Sequence, residues 1–144
     1  MRTLALLTSL AALAVLAAPA GASSAASVQA RGSSYGTVLF DGRGFVLYAF
    51  TKDAKGRSAC SGACAKAWPP YIVSARPRAA AGAKRTLLGT TRRSDGRLQA
   101  TYAGHPLYYY VGDRKPGQIL CQNVAEFGGT WLVLRPDGSL RHGS

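Results

Sequence analysis

The feature that most constrains this chain is an internal repeat. Gly44-Phe-Val-Leu47-Tyr48-Ala-Phe50-Thr-Lys-Asp53 aligns with Gly104-His-Pro-Leu107-Tyr108-Tyr-Tyr110-Val-Gly-Asp113 at a constant offset of 60 residues. The same offset pairs Gly36 with Gly96 and Lys55 with Lys115. One extra residue enters before Cys60 and its counterpart Cys121, and two more before Trp68 and Trp131. An ordered series of matches at one spacing is the signature of a duplicated unit. The fold must then consist of two related halves.

Within each half the pattern is strand and turn. Val38–Phe40 and Phe45–Phe50 flank Asp41-Gly42-Arg43-Gly44, a Gly-rich hairpin connection. Leu87–Thr91 and Arg97–Tyr102 flank Arg93-Ser94-Asp95-Gly96 in the same way, and Ala103–Pro106 turns the chain into Leu107–Val111. A last hairpin joins Trp131–Leu134 to Ser139–Arg141 through Arg135-Pro136-Asp137-Gly138. Helix is expected only over Gly62–Ala67 and Asn123–Phe127. The predicted fold is all-β with minor short helix, a small domain of two duplicated antiparallel hairpin or meander repeats. Repeat one is 36–73, a linker rich in small residues and arginine is 74–86, and repeat two is 87–144.

Residues 1–22 read as a signal peptide. Arg2 precedes an apolar run from Leu4 to Ala18, interrupted only by Thr8 and Ser9, and Ala20-Gly21-Ala22 is a small-x-small cleavage site. The run of about 15 residues is shorter than the roughly 20 needed to span a bilayer. Residues 23–35 are expected to be a flexible mature N-terminus. Cleavage removes one cation, Arg2, so a 122-residue mature chain keeps +11 of the formal +12 charge. With 47% hydrophobic and 17% charged residues, this is the composition of a folding chain rather than a disordered polyelectrolyte.

Three cysteines in an exported chain meet an oxidising compartment. Cys60 and Cys64 are expected to form a local disulfide, which leaves Cys121 as the odd thiol. Metal binding is the alternative, but there is no C-x-x-C pair, and only His105 and His142 add imidazoles. No metal or cofactor is expected. A thiol-redox or metal-handling role for Cys121 with Cys60 and Cys64, assisted by His105 or by the cations Arg114 and Lys115, is the alternative function.

Tyr48-x-Phe50-x-x-Asp53 and Tyr108-x-Tyr110-x-x-Asp113 resemble the Y-x-(F/W/Y)-x-x-D motif of a bacterial secreted-repeat family often labelled predicted lipoproteins. Cys60-Ser-Gly-Ala-Cys64-Ala65, Trp68-Pro69-Pro70 and the stretch from Leu88-Gly89-Thr90 through Ser94-Asp95-Gly96, Gln99 and Tyr102 extend the resemblance over roughly Gly36–Gly138. It implies placement outside the cytoplasm and a repeated domain of unknown biochemical function, with the paired cysteines in the first repeat. The chain departs from the lipoprotein label because no Cys precedes Cys60, so no lipidation cysteine follows the leader.

The residues that could carry chemistry are few. Tyr48 with Phe50, and Tyr108 with Tyr110, share strand faces, and with Trp68 and Trp131 they form one aromatic cluster, read as core in preference to a stacking platform for a planar ligand. The opposite face of the first strand, Leu47, Ala49 and Thr51, offers little to bury. Of the six acidic residues, Asp41, Asp95 and Asp137 each precede Gly and are turn residues. Asp53 and Asp113 end equivalent strands, where they accept following backbone amides. That leaves no carboxylate pair for hydrolysis, and no G-x-S-x-G or H-E-x-x-H motif is present. The expected function is a non-catalytic binding or structural module, secreted to the cell envelope. Its basic surface would meet anionic envelope components non-specifically, without sequence-specific nucleic-acid recognition and without a membrane span in the mature chain.

Overall fold

Residues 25–143 are described by a computed structural model. The expected signal peptide, 1–22, lies outside the described residues. In chain order the elements are β1 (Ser27–Ser33), β2 (Gly36–Asp41), β3 (Tyr48–Phe50), α1 (Ala63–Ala67), β4 (Arg78–Ala79), β5 (Leu88–Arg92), β6 (Leu98–Tyr102), β7 (His105–Pro106), β8 (Val124–Glu126) and β9 (Gly129–Val133). They make three three-stranded sheets, ordered β2-β1-β4, β3-β9-β8 and β5-β6-β7. The domain is mostly strand with one short α-helix, as the turn-punctuated sequence leads one to expect.

The hairpins form where turn chemistry and apolar alternation agree. β1 pairs antiparallel with β2, with Val28 opposite Asp41 and Ser33 opposite Gly36. β5 pairs with β6, with Leu88 opposite Tyr102 and Arg92 opposite Leu98. All three turn aspartates accept the amide two residues on: Arg43 N donates to Asp41 at 2.9 Å, Arg97 N to Asp95 at 3.0 Å and Ser139 N to Asp137 at 2.9 Å. This is the Asx geometry that makes Asp-Gly a turn former.

Three segments differ from the sequence expectation. Ser27–Ser33, inside the stretch expected to be flexible, is the middle strand of its sheet, because β2 and β4 take up both of its edges. Its signal is weak, since Val28 is its only fully buried side chain. Val124–Glu126 is a strand rather than part of a helix. Asn123 and Phe127 both sit at left-handed φ (60° and 56°), which closes a hairpin and stops a helix. Within 74–86, Arg78–Ala79 runs parallel to β1, and a 3₁₀ turn begins at Arg85, so the segment between the repeats is tied to the first sheet.

The Tyr-bearing strands lie at the centre, and both of their faces are buried. One face packs Leu47, Ala49 and Leu107 against Val28, Leu88 and Tyr102. The other packs Tyr48, Phe50 and Tyr108 against Trp68, Trp131 and the Cys60–Cys64 pair. Leu47 and Ala49 are fully buried, so the face expected to have little to cover is itself core. The reason is tertiary: the two hairpins of the duplicated units close over it.

Candidate functional site

The two halves meet through their matching strands. Tyr48 and Tyr108 face each other in an antiparallel bridge, each amide donating to the other's carbonyl at 2.9 Å. On the far side of Tyr48 lies β9, so Tyr48, Ala49 and Phe50 pair with Val133, Leu132 and Trp131 of repeat two. On the far side of Tyr108 lies repeat one's own Trp segment: Tyr109 N donates to Pro69 O at 2.8 Å and Val111 N to Ala67 O at 3.0 Å. Each repeat thus completes the other's sheet, about an approximate two-fold axis between the two tyrosines.

The side chains obey the same axis. Tyr48 Oη donates to Asp113 Oδ2 at 2.7 Å, and Tyr108 Oη donates to Asp53 Oδ2 at 2.8 Å. The second oxygen of each carboxylate accepts a following amide of its own repeat, Leu120 N at 3.0 Å and Ala59 N at 2.6 Å. Gly44 and Gly104 occupy equivalent left-handed positions (φ 91° and 80°), and their carbonyls accept Gly117 N and Gly56 N across the axis at 2.9 and 2.7 Å. The Y-x-(F/W/Y)-x-x-D pattern is therefore a clasp in which the tyrosine of one copy holds the aspartate of the other. Burial pushes both tyrosine hydroxyls above their ordinary pKa, and it also raises Asp53 and Asp113 above the usual carboxylate range.

The aromatic residues form one stack through the same axis. Phe50 lies flat on Trp131 (4.1 Å, 5°), Trp131 on Trp68 (4.0 Å, 2°), and Trp68 against Tyr110 (4.8 Å, 39°). Tyr48 and Tyr108 stand edge-on to Trp68 and Trp131 at 5.2 and 5.1 Å. Of these six, only Tyr110 keeps appreciable exposure. The copies differ at the indole nitrogens. Trp68 Nε1 donates to Glu126 Oε2 at 2.8 Å, while Trp131 Nε1 is buried without a partner. At the place where the second repeat supplies Glu126, the first carries α1, whose side chains there are alanine, cysteine and lysine.

A buried polar chain backs the Tyr108–Asp53 clasp and is not visible as such in the sequence. Tyr108 Oη also lies 2.7 Å from Ser58 Oγ, and Arg93 donates to Ser58 Oγ (3.0 Å), Gln99 Oε1 (2.7 Å) and Cys60 O (2.6 Å). Gln99 Nε2 in turn donates to Leu107 O at 2.8 Å. Arg93 is only 7% exposed, which a guanidinium tolerates when such partners surround it. Its sequence signal was the Arg93-Ser-Asp-Gly…Gln99 run, which reads locally as a turn.

Cys60 and Cys64 are disulfide-bonded, and Cys121 is a free, half-buried cysteine beside Tyr110. Burial raises the Cys121 thiol above its ordinary value, and the nearby charges of Asp113 and Glu126 push it the same way. A hydrogen bond with Tyr110 opposes this, but the net shift is upward, away from the lowered pKa that activates a nucleophilic thiolate. His105 pairs with Tyr102 in β7, and burial lowers its pKa. Among the described residues no three His, Cys, Asp or Glu side chains are placed to hold a metal ion.

Two of the clefts among the described residues bear on function. The larger, about 550 Å³, lies between Ala25–Ser27 and Pro69–Ile72, with Asp41, Arg43 and Tyr109 at its base. Its polar groups are engaged: Asp41 accepts Arg43 Nε at 3.0 Å and Tyr109 Oη at 2.9 Å, and Tyr71 Oη donates to Ser27 O. The smaller, about 400 Å³, is lined by Arg76, Pro77, Arg78, Ala79 and Arg85.

No curated protein and no solved structure matches the chain. A family model, Lipoprotein_15, described as a secreted repeat of unknown function, matches twice, over residues 31–71 and 89–135. The two matched regions are the two halves that clasp one another, and no described helix is long and apolar enough to cross a membrane. The chain belongs to this family of secreted repeats of unknown function.

Proposed function

We propose that the protein is a non-catalytic module of the cell envelope, exported by cleavage after Ala22, that attaches through its cationic surface to anionic envelope components. The observation that carries this reading is the allocation of the acids. Each of the six has a hydrogen-bond partner within the chain: Asp41, Asp95 and Asp137 hold turns, Asp53 and Asp113 hold the clasp, and Glu126 accepts Trp68. Among the described residues only Arg43, Arg93 and Arg97 lie within 4.0 Å of a carboxylate. The other described lysines and arginines are exposed or half-exposed and make no ion pair with a described carboxylate, so most of their field projects outward. The same allocation leaves no pair of acids free to act as acid and base.

The test is co-sedimentation of the mature protein with vesicles of pure phosphatidylcholine and of phosphatidylcholine with anionic phosphatidylglycerol. Attraction of about 1 kcal/mol per cation near an anionic surface predicts clear retention on the anionic vesicles at low salt. Retention should vanish near 1 M salt, where the screening length is about 3 Å. No preference for anionic vesicles at low salt would refute the proposal.

A further inference from the structure

The geometry points to a phosphate-binding site in the cleft formed by Arg76, Arg78 and Arg85, an inference that rests on the cationic-surface reading and gives it a location. Three arginines line one cleft of about 400 Å³, whose remaining walls are Pro77 and Ala79. Neither wall residue carries a polar side chain that could compete for the guanidinium donors. Among the described residues no carboxylate lines the cleft, and none of the three arginines forms an ion pair. Like charges gathered without a counter-ion repel one another, so an anion bound between them relieves a cost already present in the fold.

The backbone beneath is fixed rather than loose. Arg78 N donates to Ala26 O at 2.9 Å, Ala80 N to Val28 O at 2.8 Å, and Ala81 O accepts Ala30 N at 2.7 Å, which fastens the segment to β1. Lys84 N donates to Tyr102 Oη at 2.8 Å, which fastens the start of the Arg85 turn to β6. Pro77 is buried. The arginines therefore project from a frame tied to β1 and β6, and less ordering entropy opposes binding than on a free linker. Guanidinium forks match the paired oxygens of a phosphate, and three of them suit a group carrying more than one negative charge. The ligand is a phosphate-bearing anion, supplied either by a lipid headgroup or by a soluble phosphate polymer.

The probe is inorganic triphosphate, titrated into the mature protein at low salt and followed by calorimetry and amide NMR. Arg76→Gln/Arg78→Gln/Arg85→Gln is compared with Lys66→Gln/Arg114→Gln/Lys115→Gln, which loses the same charge at exposed positions elsewhere. The cleft variant should bind at least tenfold more weakly and the control within twofold of wild type. Equal losses in both would overturn the site while leaving general attraction to anionic vesicles intact. Citrate binding as tight as triphosphate would overturn the assignment to phosphate. Should the cleft variant misfold, Arg76→Lys/Arg78→Lys/Arg85→Lys keeps the charge and removes the forks; full wild-type affinity in it would refute the forked recognition. Displacement of the protein from phosphatidylglycerol vesicles by triphosphate assigns the cleft to the headgroup. Triphosphate binding without displacement assigns it to a soluble phosphate.

Discussion

The clasp makes a prediction that a purely local reading of the repeat would not. Tyr48→Phe removes one oxygen from a fully buried side chain and leaves the ring packing edge-on to Trp68 unchanged. What is lost is the 2.7 Å donation to Asp113 Oδ2, in a carboxylate that is only 8% exposed. Its other oxygen already holds Leu120 N, and little water can reach the vacated side. Hydrogen bonds to charged groups contribute about 1.5–3 kcal/mol, so Tyr48→Phe should cost about 2 kcal/mol. In Tyr108→Phe the abandoned carboxylate, Asp53, is more exposed, so water replaces the lost donor, and Ser58 Oγ, which also loses the hydroxyl, keeps its bond from Arg93. That variant should cost about 1 kcal/mol.

Urea unfolding at neutral pH, with unchanged slope, measures both. The Tyr48 hydroxyl favours the ionised form of Asp113, so the penalty of Tyr48→Phe should be full at neutral pH. It should shrink as pH falls through the raised pKa of that carboxyl. A Tyr48→Phe penalty below about 0.5 kcal/mol, or one smaller than that of Tyr108→Phe, would refute the reasoning, because neither fits a buried charge-assisted bond.

Three further outcomes follow from the same geometry. Residues 25–75 and 76–143 expressed separately should each lack amide dispersion and recover it on mixing, since β9 completes the sheet of β3 and the Trp68 segment pairs with Tyr109; an independently folded half would contradict the exchange. Carbon-detected titration should show Asp53 and Asp113 losing their protons at higher pH than Asp95 and Asp137, whose pKa values are lowered by Arg97 and Ser139 respectively. With folded pKa values above the unfolded ones, Asp53 and Asp113 favour the fold most at low pH, and that contribution is lost as pH rises through their raised values; the reverse titration order would overturn the burial argument. Cys121 should react with a thiol reagent at neutral pH more slowly than a free cysteine, because burial and two carboxylates hold it protonated, and rapid reaction would revive the thiol-redox alternative.

Much of the local architecture was legible in the residues. Asp-Gly turns, strand alternation and a Cys-x3-Cys loop are short-range features whose chemistry depends on neighbours a few positions away. The reading failed where the signal was thin or ambiguous. Ser27–Ser33 buries only Val28 fully, and its place as a middle strand depends on the distant Arg78–Ala79. Asn123–Phe127 carries no glycine until Gly128, so its left-handed ends were hidden. Arg93 looked like a turn residue, because nothing local reveals that Ser58, Gln99 and the Cys60 carbonyl gather around it.

The sequence by itself determined that the chain is two copies of one strand-and-turn unit, each ending its motif in an aspartate. It could not determine which aspartate each tyrosine holds, because Asp53 and Asp113 stand at identical spacings from Tyr48 and Tyr108 and are locally equivalent. Only the tertiary structure broke that equivalence. The Tyr48–Tyr108 bridge brings the strands together antiparallel, so each hydroxyl reaches the carboxylate of the other copy and each Trp-bearing segment pairs with the other copy's tyrosine strand. That arrangement, together with the three turn aspartates and Glu126, gives each of the six acids a hydrogen-bond partner within the chain.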